Sequence, residues 1–267
     1  MTQGLSGKGV LVVGASAGIG RAVALRAARD GARIAVVARR RDALESLTKE
    51  AGAGTIITAD LSVAADCDRI AREAGAALGQ IDVVLFAAST ARLRTLQNMT
   101  AEEWAVILHT NLVGVNLTIA GLLPRLTEKA LVTVMSSESA GRPFYALGAY
   151  AASKSAVEDT MKAWRVEHPR IRFVTFVVGS TVPTDFASNF EPEEMVSAFP
   201  VWAMQGNAPA EYMQVEEVAD VTVGFLASLL PNKTVGLEVF SLRSPSPLTG
   251  SADTMTATAA ETGHLPD

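Results

Sequence analysis

Short apolar runs alternate with longer amphipathic stretches along most of the chain, and the alternation predicts strands and helices in turn. Residues 10–13, 33–38, 54–58, 81–86, 130–135, 170–178 and 234–240 are the apolar runs, expected as seven strands. Residues 21–29, 41–51, 63–78, 100–117, 149–167 and 215–230 place apolar positions at helical spacing. Thr100 and Glu103 match a capping box at the start of one of these helices. Strands separated by helices imply crossover connections, hence an α/β fold: one mostly parallel, seven-stranded sheet with helices on both faces.

Residues 185–214 break the alternation. They hold Phe186, Phe190, Met195, Phe199, Trp202, Met204, Tyr212 and Met213, with prolines at 192, 200 and 209. An apolar insertion after the sixth strand is expected as a small lid over a substrate. Two short helices packing their aromatic faces on the core or on another subunit fit the same residues. From 246 to 267 Ser, Thr, Ala, Gly and Pro dominate, expected as a flexible tail or a subunit contact. No linker or repeat divides the rest, so residues 1–245 are expected as a single domain.

Composition narrows the function. Charged residues are 19% of the chain and the net charge is −5, so no basic surface recommends nucleic acid or an anionic membrane as partner. A small molecule is expected instead. The lone Cys67 excludes an intramolecular disulfide framework and a Cys-rich zinc site, and no metal is expected. The N-terminus has no signal pattern and no unbroken apolar run reaches about 18 residues, so a cytoplasmic location is expected.

The candidate chemistry collects at strand ends. After the first strand come Gly14, Gly18 and Gly20, spaced G-x-x-x-G-x-G around Ser16 and Ile19, and then a helix. Such a turn lets backbone N–H groups and a helix N-terminus approach a pyrophosphate. The second strand ends at Ala38, where an acid would hold a ribose hydroxyl; Arg39 and Arg40 follow, and a guanidinium suits a 2′-phosphate, favouring NADP(H) over NAD(H). Three arginines at 39–41 on a solvated loop are the bland alternative. Asp60 and Leu61 end the third strand, beside the adenine position.

Tyr150 and Lys154 stand at i and i+4, one helical turn apart. The pair is common on helices, but here a phenol with an ordinary pKa near ~10 would have a cation beside it to lower that value. Ser137 closes the fifth strand at the same sheet edge. Asn111 is a polar residue in an apolar stretch, by itself most simply a satisfied core amide.

Together these residues resemble the short-chain dehydrogenase/reductase family, from about residue 5 to 240. Gly14, Gly18 and Gly20 fit its T-G-x-x-x-G-x-G motif, Asp60 its adenine-side acid, and Asn111, Ser137, Tyr150 and Lys154 its catalytic tetrad. Departures are also clear. Val13 replaces the motif's Thr, and Phe86, Ala87, Ala88 and Ser89 stand where the family usually has N-N-A-G; Val178-Gly179 replaces a P-G turn whose following Thr is displaced or replaced, with Thr181, Pro183 and Thr184 nearby.

The resemblance implies a doubly wound Rossmann fold and hydride transfer between a nicotinamide and a carbonyl or alcohol. Tyr150 would act as the acid or base, Lys154 would lower the phenol pKa and bind the nicotinamide ribose, and Ser137 would bind the oxygen. Asn111 would hold a water linking Lys154 to solvent. Ala87, Ala88, Gly179 and Thr181 would flank the cofactor, and a homodimer or homotetramer would be usual. Two other readings stay open: an NAD-linked alcohol dehydrogenase, and a non-catalytic dinucleotide sensor whose lid binds a partner.

Overall fold

The computed structural model describes residues 4–245, so the tail expected at 246–267 lies outside the described residues. Seven strands form one sheet, every neighbouring pair parallel: β1 (Gly9–Val13), β2 (Arg33–Ala38), β3 (Thr55–Thr58), β4 (Ile81–Phe86), β5 (Leu126–Ser137), β6 (Arg172–Val178) and, last in the chain, β9 (Val239–Leu242). Their spatial order is β3-β2-β1-β4-β5-β6-β9. Two further strands, β7 (Thr181–Val182) and β8 (Met213–Gln214), pair only with each other.

Successive side chains of a strand face opposite ways, and β1 shows the result. Val10 and Val12 enter one buried cluster, covered by α1 (Gly18–Arg29), α2 (Arg41–Ala51) and α8 (Val215–Leu229). Leu11 and Val13 enter the other, under α3 (Ala64–Leu78), α5 (Gly114–Leu122) and α6 (Gly148–Glu167). The all-buried run of β1, and that of β2 after the exposed Arg33, are what a sheet covered on both faces demands.

Strand order reverses between β1 and β4. The chain leaves β1 toward α1 on one face and leaves β4 toward the opposite face, so the carboxyl ends of these strands part and open a crevice, where ligands of open α/β sheets bind.

Several boundaries differ from expectation. The helix expected at 100–117 is three pieces: α4 (Ala101–Leu108), a π-helical turn His109–Val113 and α5. Its capping box is present, with Thr100 and Glu103 bonded in both directions. β5 begins four residues earlier than its apolar run, because Leu126 pairs with Ile81 across a register shift. The last strand is displaced from 234–240 to 239–242, where it matches Thr175 to Val178 of β6. The insertion holds one helix, α7 (Pro192–Met204), rather than two short ones. Among the described residues one helical stretch, Ala101–Arg125, is long and apolar enough to cross a membrane, with mean hydropathy 1.7, although no unbroken apolar run marks it. About two-fifths of it is buried, and its α5 part packs on α3.

Candidate active site

A cavity of about 560 Å³ occupies the crevice. The expected cofactor residues line it from end to end: Gly14, Ser16, Gly18, Ile19 and Gly20 on the turn, Arg39 and Arg40 after β2, Asp60 and Leu61 after β3, Ala87 and Ala88 after β4, and Gly179 and Thr181 after β6. Ser137, Tyr150 and Lys154 line it as well. Of the expected residues only Asn111 does not.

The glycine turn is held by backbone contact. Gly14 has φ +92°, and a Cβ there would lie 2.2 Å from the Ala88 nitrogen. A Cβ on Gly20 would lie 2.1 Å from the Gly14 carbonyl oxygen. Val13 and Phe86 are register partners across β1 and β4, each 1% exposed. The two departures from the family pattern are therefore one apolar contact, while the Ala87 and Ala88 N–H groups both donate to the Val13 carbonyl, at 2.8 and 3.0 Å.

The residues fit a dinucleotide's phosphates. No side chain caps α1, whose N-cap is Ala17, and no acid lies in its first turn, so its N–H groups remain available to an anion. Arg40 donates to the Ser16 hydroxyl at 3.1 Å and pairs with Asp185 at 2.6 Å. Arg39, the first of the two arginines after β2, lies 3.8 Å from Asp60 with a largely exposed guanidinium. Asp60 is itself fixed, accepting from the Ser62 N–H and hydroxyl, both at 2.8 Å. The Leu61 side chain is buried and its carbonyl faces the Cys67 thiol. Thr181 donates to the Gly179 carbonyl at 2.9 Å, bracing the turn after β6.

At the other end of the crevice, Lys154 is 4% exposed and donates to the Met135 carbonyl at 2.7 Å. Its ammonium lies 5.7 Å from the Tyr150 ring centre. Burial pulls the Lys154 pKa down to about 8, with Glu158 opposing. Burial pushes the Tyr150 phenol up to about 12, and the Ser137 and Ser89 hydroxyls pull the other way. This corrects the downward shift expected from Lys154: without a cofactor, loss of water around the phenol wins, and the ring is held as a neutral acid.

Ser139 donates its backbone N–H to the Ser137 oxygen at 3.2 Å, and the two hydroxyls are 3.0 Å apart. Asn111, 1% exposed on the π turn, accepts from the Thr90 N–H and donates to the Thr90 carbonyl, both at 2.8 Å, and donates to Ser153 at 3.0 Å. It ties the exit of β4 to α6. Sequence reading missed two neighbours. Ser89 is visible only as a hydroxyl in the slot of the family's glycine, and Asp185 carries no local signal at all. Thr184, noted from sequence beside the turn after β6, lies near Gly18.

Architecture and crevice together are those of a dinucleotide-binding α/β protein. Residues 8–195 match the family described as short chain dehydrogenase. Oxidoreductase asL5 of Sarocladium schorii is 30% identical over 85% of this chain and 90% of its own length. Glycine betaine reductase ATRR of Emericella nidulans is 36% identical over 61% of this chain, which spans only 13% of that protein. An alcohol dehydrogenase structure from the archaeon Thermococcus sibiricus, complexed with 5-hydroxy-NADP, superposes with TM-score 0.74 at 28% identity, covering 89% of this chain and 97% of its own. The chain belongs to the short-chain dehydrogenase family of oxidoreductases.

Proposed function

We propose that the protein is an NADP(H)-dependent oxidoreductase acting on the carbonyl or secondary alcohol of a fairly apolar small molecule. The observation that carries this reading is the meeting of Ser137, Tyr150 and Lys154 on the wall of the cavity onto which the glycine turn, Arg39 and Arg40 also open. A nicotinamide held in this crevice would supply the hydride for the carbonyl carbon. Tyr150 gives its phenolic proton to the carbonyl oxygen, and takes one back in the reverse direction. The Lys154 ammonium stabilises the phenolate left behind. Ser137 accepts the Ser139 N–H, which leaves its own proton free to donate to the substrate oxygen as negative charge grows there. Asn111 keeps β4 and α6 in register around these groups. Arg40, beside the turn, and Arg39 hold the 2′-phosphate; the NADP-type ligand of the Thermococcus neighbour supports that choice.

Fluorescence titration with NADPH and NADH tests the cofactor half. NADPH should bind more tightly, and Arg40→Ala should erode that preference. Tyr150→Phe should retain binding while losing about 10²–10⁴-fold in turnover across a carbonyl panel. Unchanged turnover would sink the mechanism. Failure of both dinucleotides to bind would overturn the whole reading.

A further inference from the structure

The substrate end of the cavity is walled by two groups of aromatic rings: Tyr150 meets Phe186 at 5.0 Å, and Phe144 and Phe199 meet Trp202 at 5.6 and 5.1 Å. Polar side chains stand out against such a wall. Glu138 is one: burial raises its pKa, with Arg243, the Ser180 N–H and Arg142 opposing. Asn207 is another. It is 5% exposed, lines the cavity, and its side-chain oxygen has no hydrogen-bond partner. Four more buried side-chain oxygens lack partners among the described residues, all threonine hydroxyls, and none of them lines the cavity.

The orientation of this amide is built. Its backbone N–H donates to the Trp202 carbonyl at 2.8 Å, and its Nδ2 donates to Gln205 Oε1 at 3.2 Å, which leaves the oxygen as the end without a partner. The loop is tied to the segment after Ser137 by Arg142 donating to the Gln205 carbonyl, and Trp202 is tied by its Nε1 donating to the Tyr145 carbonyl at 2.8 Å. A buried acceptor without a partner costs folding free energy and is rare unless something fills it. The oxygen is itself buried; the last torsion of an asparagine is soft, and a rotation that gives up the bond to Gln205 turns the oxygen toward the lumen.

We propose that Asn207 is a specificity residue whose side-chain oxygen accepts a hydrogen bond from a hydroxyl or N–H carried by the substrate away from its reacting carbonyl. The substrate class is thus an apolar, ring-bearing carbonyl compound with one distal donor. This inference rests on the oxidoreductase reading of the same cavity and refines it.

The test uses paired ketones: benzylacetone with its para-hydroxy analogue, and acetonaphthone with its hydroxy analogue. Calorimetry measures their dissociation constants with the full-length protein, with and without NADPH. At least one hydroxylated member should bind about 5–10-fold more tightly than its parent, the worth of one buried hydrogen bond. Asn207→Leu should abolish that ratio. Asn207→Asp, which keeps an acceptor, should preserve it; unchanged NADPH binding and melting temperature identify folded variants. No preference in either pair, or a preference that survives Asn207→Leu, overturns the proposal. A preference that depends on Asn207 without turnover of any ketone would uphold the subsite and count against the oxidoreductase reading instead.

Discussion

Replacing Gly14 with alanine isolates the physics of the dinucleotide turn, because the structure offers a matched control. Gly14 and Gly52 both have positive φ, +92° and +76°, but only at Gly14 is the space for a methyl already filled. A Cβ there meets the Ala88 nitrogen at 2.2 Å, the Ala88 Cα at 2.5 Å and the Ala87 carbonyl carbon at 2.8 Å. All are backbone atoms of the β4 exit, which cannot swing aside as a side chain does. At Gly52 nothing lies within 4 Å.

The left-handed backbone costs about 1–2 kcal/mol for an alanine at either site. Overpacking adds a further ~1–3 kcal/mol at Gly14 alone. Gly14→Ala should therefore lose about 2–5 kcal/mol and Gly52→Ala about 1–2 kcal/mol, read as the shift of the denaturant midpoint at constant slope. The strain at Gly14 also forces β1 and β4 apart at the phosphate turn, so Gly14→Ala should weaken NADPH by more than tenfold while Gly52→Ala binds as wild type. Equal midpoints for the two variants, or normal NADPH binding by Gly14→Ala, would refute the argument from backbone contact.

Two further outcomes follow from buried cations. The folded pKa of Lys154, about 8, lies below its ordinary 10.5. Its contribution to stability is present above about pH 10 and is lost as pH falls through about 8. Wild type should gain stability relative to Lys154→Met between about pH 7 and about pH 9.5, and a flat difference would contradict the burial assigned to this ammonium. Arg172, 8% exposed at the start of β6, donates to the carbonyls of Lys129 and Leu229, at 2.9 and 2.7 Å for the shortest single contacts of its Nε and Nη1. Arg172→Met strands these buried acceptors and should cost about 2–5 kcal/mol in chemical denaturation with cofactor affinity retained; a loss under ~1 kcal/mol would show that water replaces the guanidinium.

What could be read from the sequence was what neighbours in sequence determine. The glycine spacing, the one-turn separation of Tyr150 and Lys154, and the Thr100–Glu103 cap are local and were legible. The π turn around Asn111 was not, because its residues keep helical spacing on either side and only the contacts to Thr90 and Ser153 reward the extra residue. The last strand was misplaced for a related reason: residues 234–240 carry the apolar signal, but register with Thr175 to Val178 selects 239–242. Arg40 and Asp185 are 145 residues apart, so nothing near either predicts their pairing. The upward shift of the Tyr150 phenol depends on how completely the fold removes water, a quantity no spacing contains.

The small β7–β8 ladder has a consequence for how this protein could change. Thr181 pairs with Met213 and Val182 with Gln214, so the intervening residues, 183–212, leave the body and return to it through a single clasp. Phe186, Phe199 and Trp202 of the aromatic wall, Asn207 and α7 belong to that excursion, whereas the glycine turn, Ser137, Tyr150 and Lys154 do not. Chain grafted between the two halves of the clasp would leave the crevice residues of the seven-stranded body in place and bring its own wall to the other end of the cavity. New specificities are therefore reachable by exchanging one module, with no seven-strand register to renegotiate.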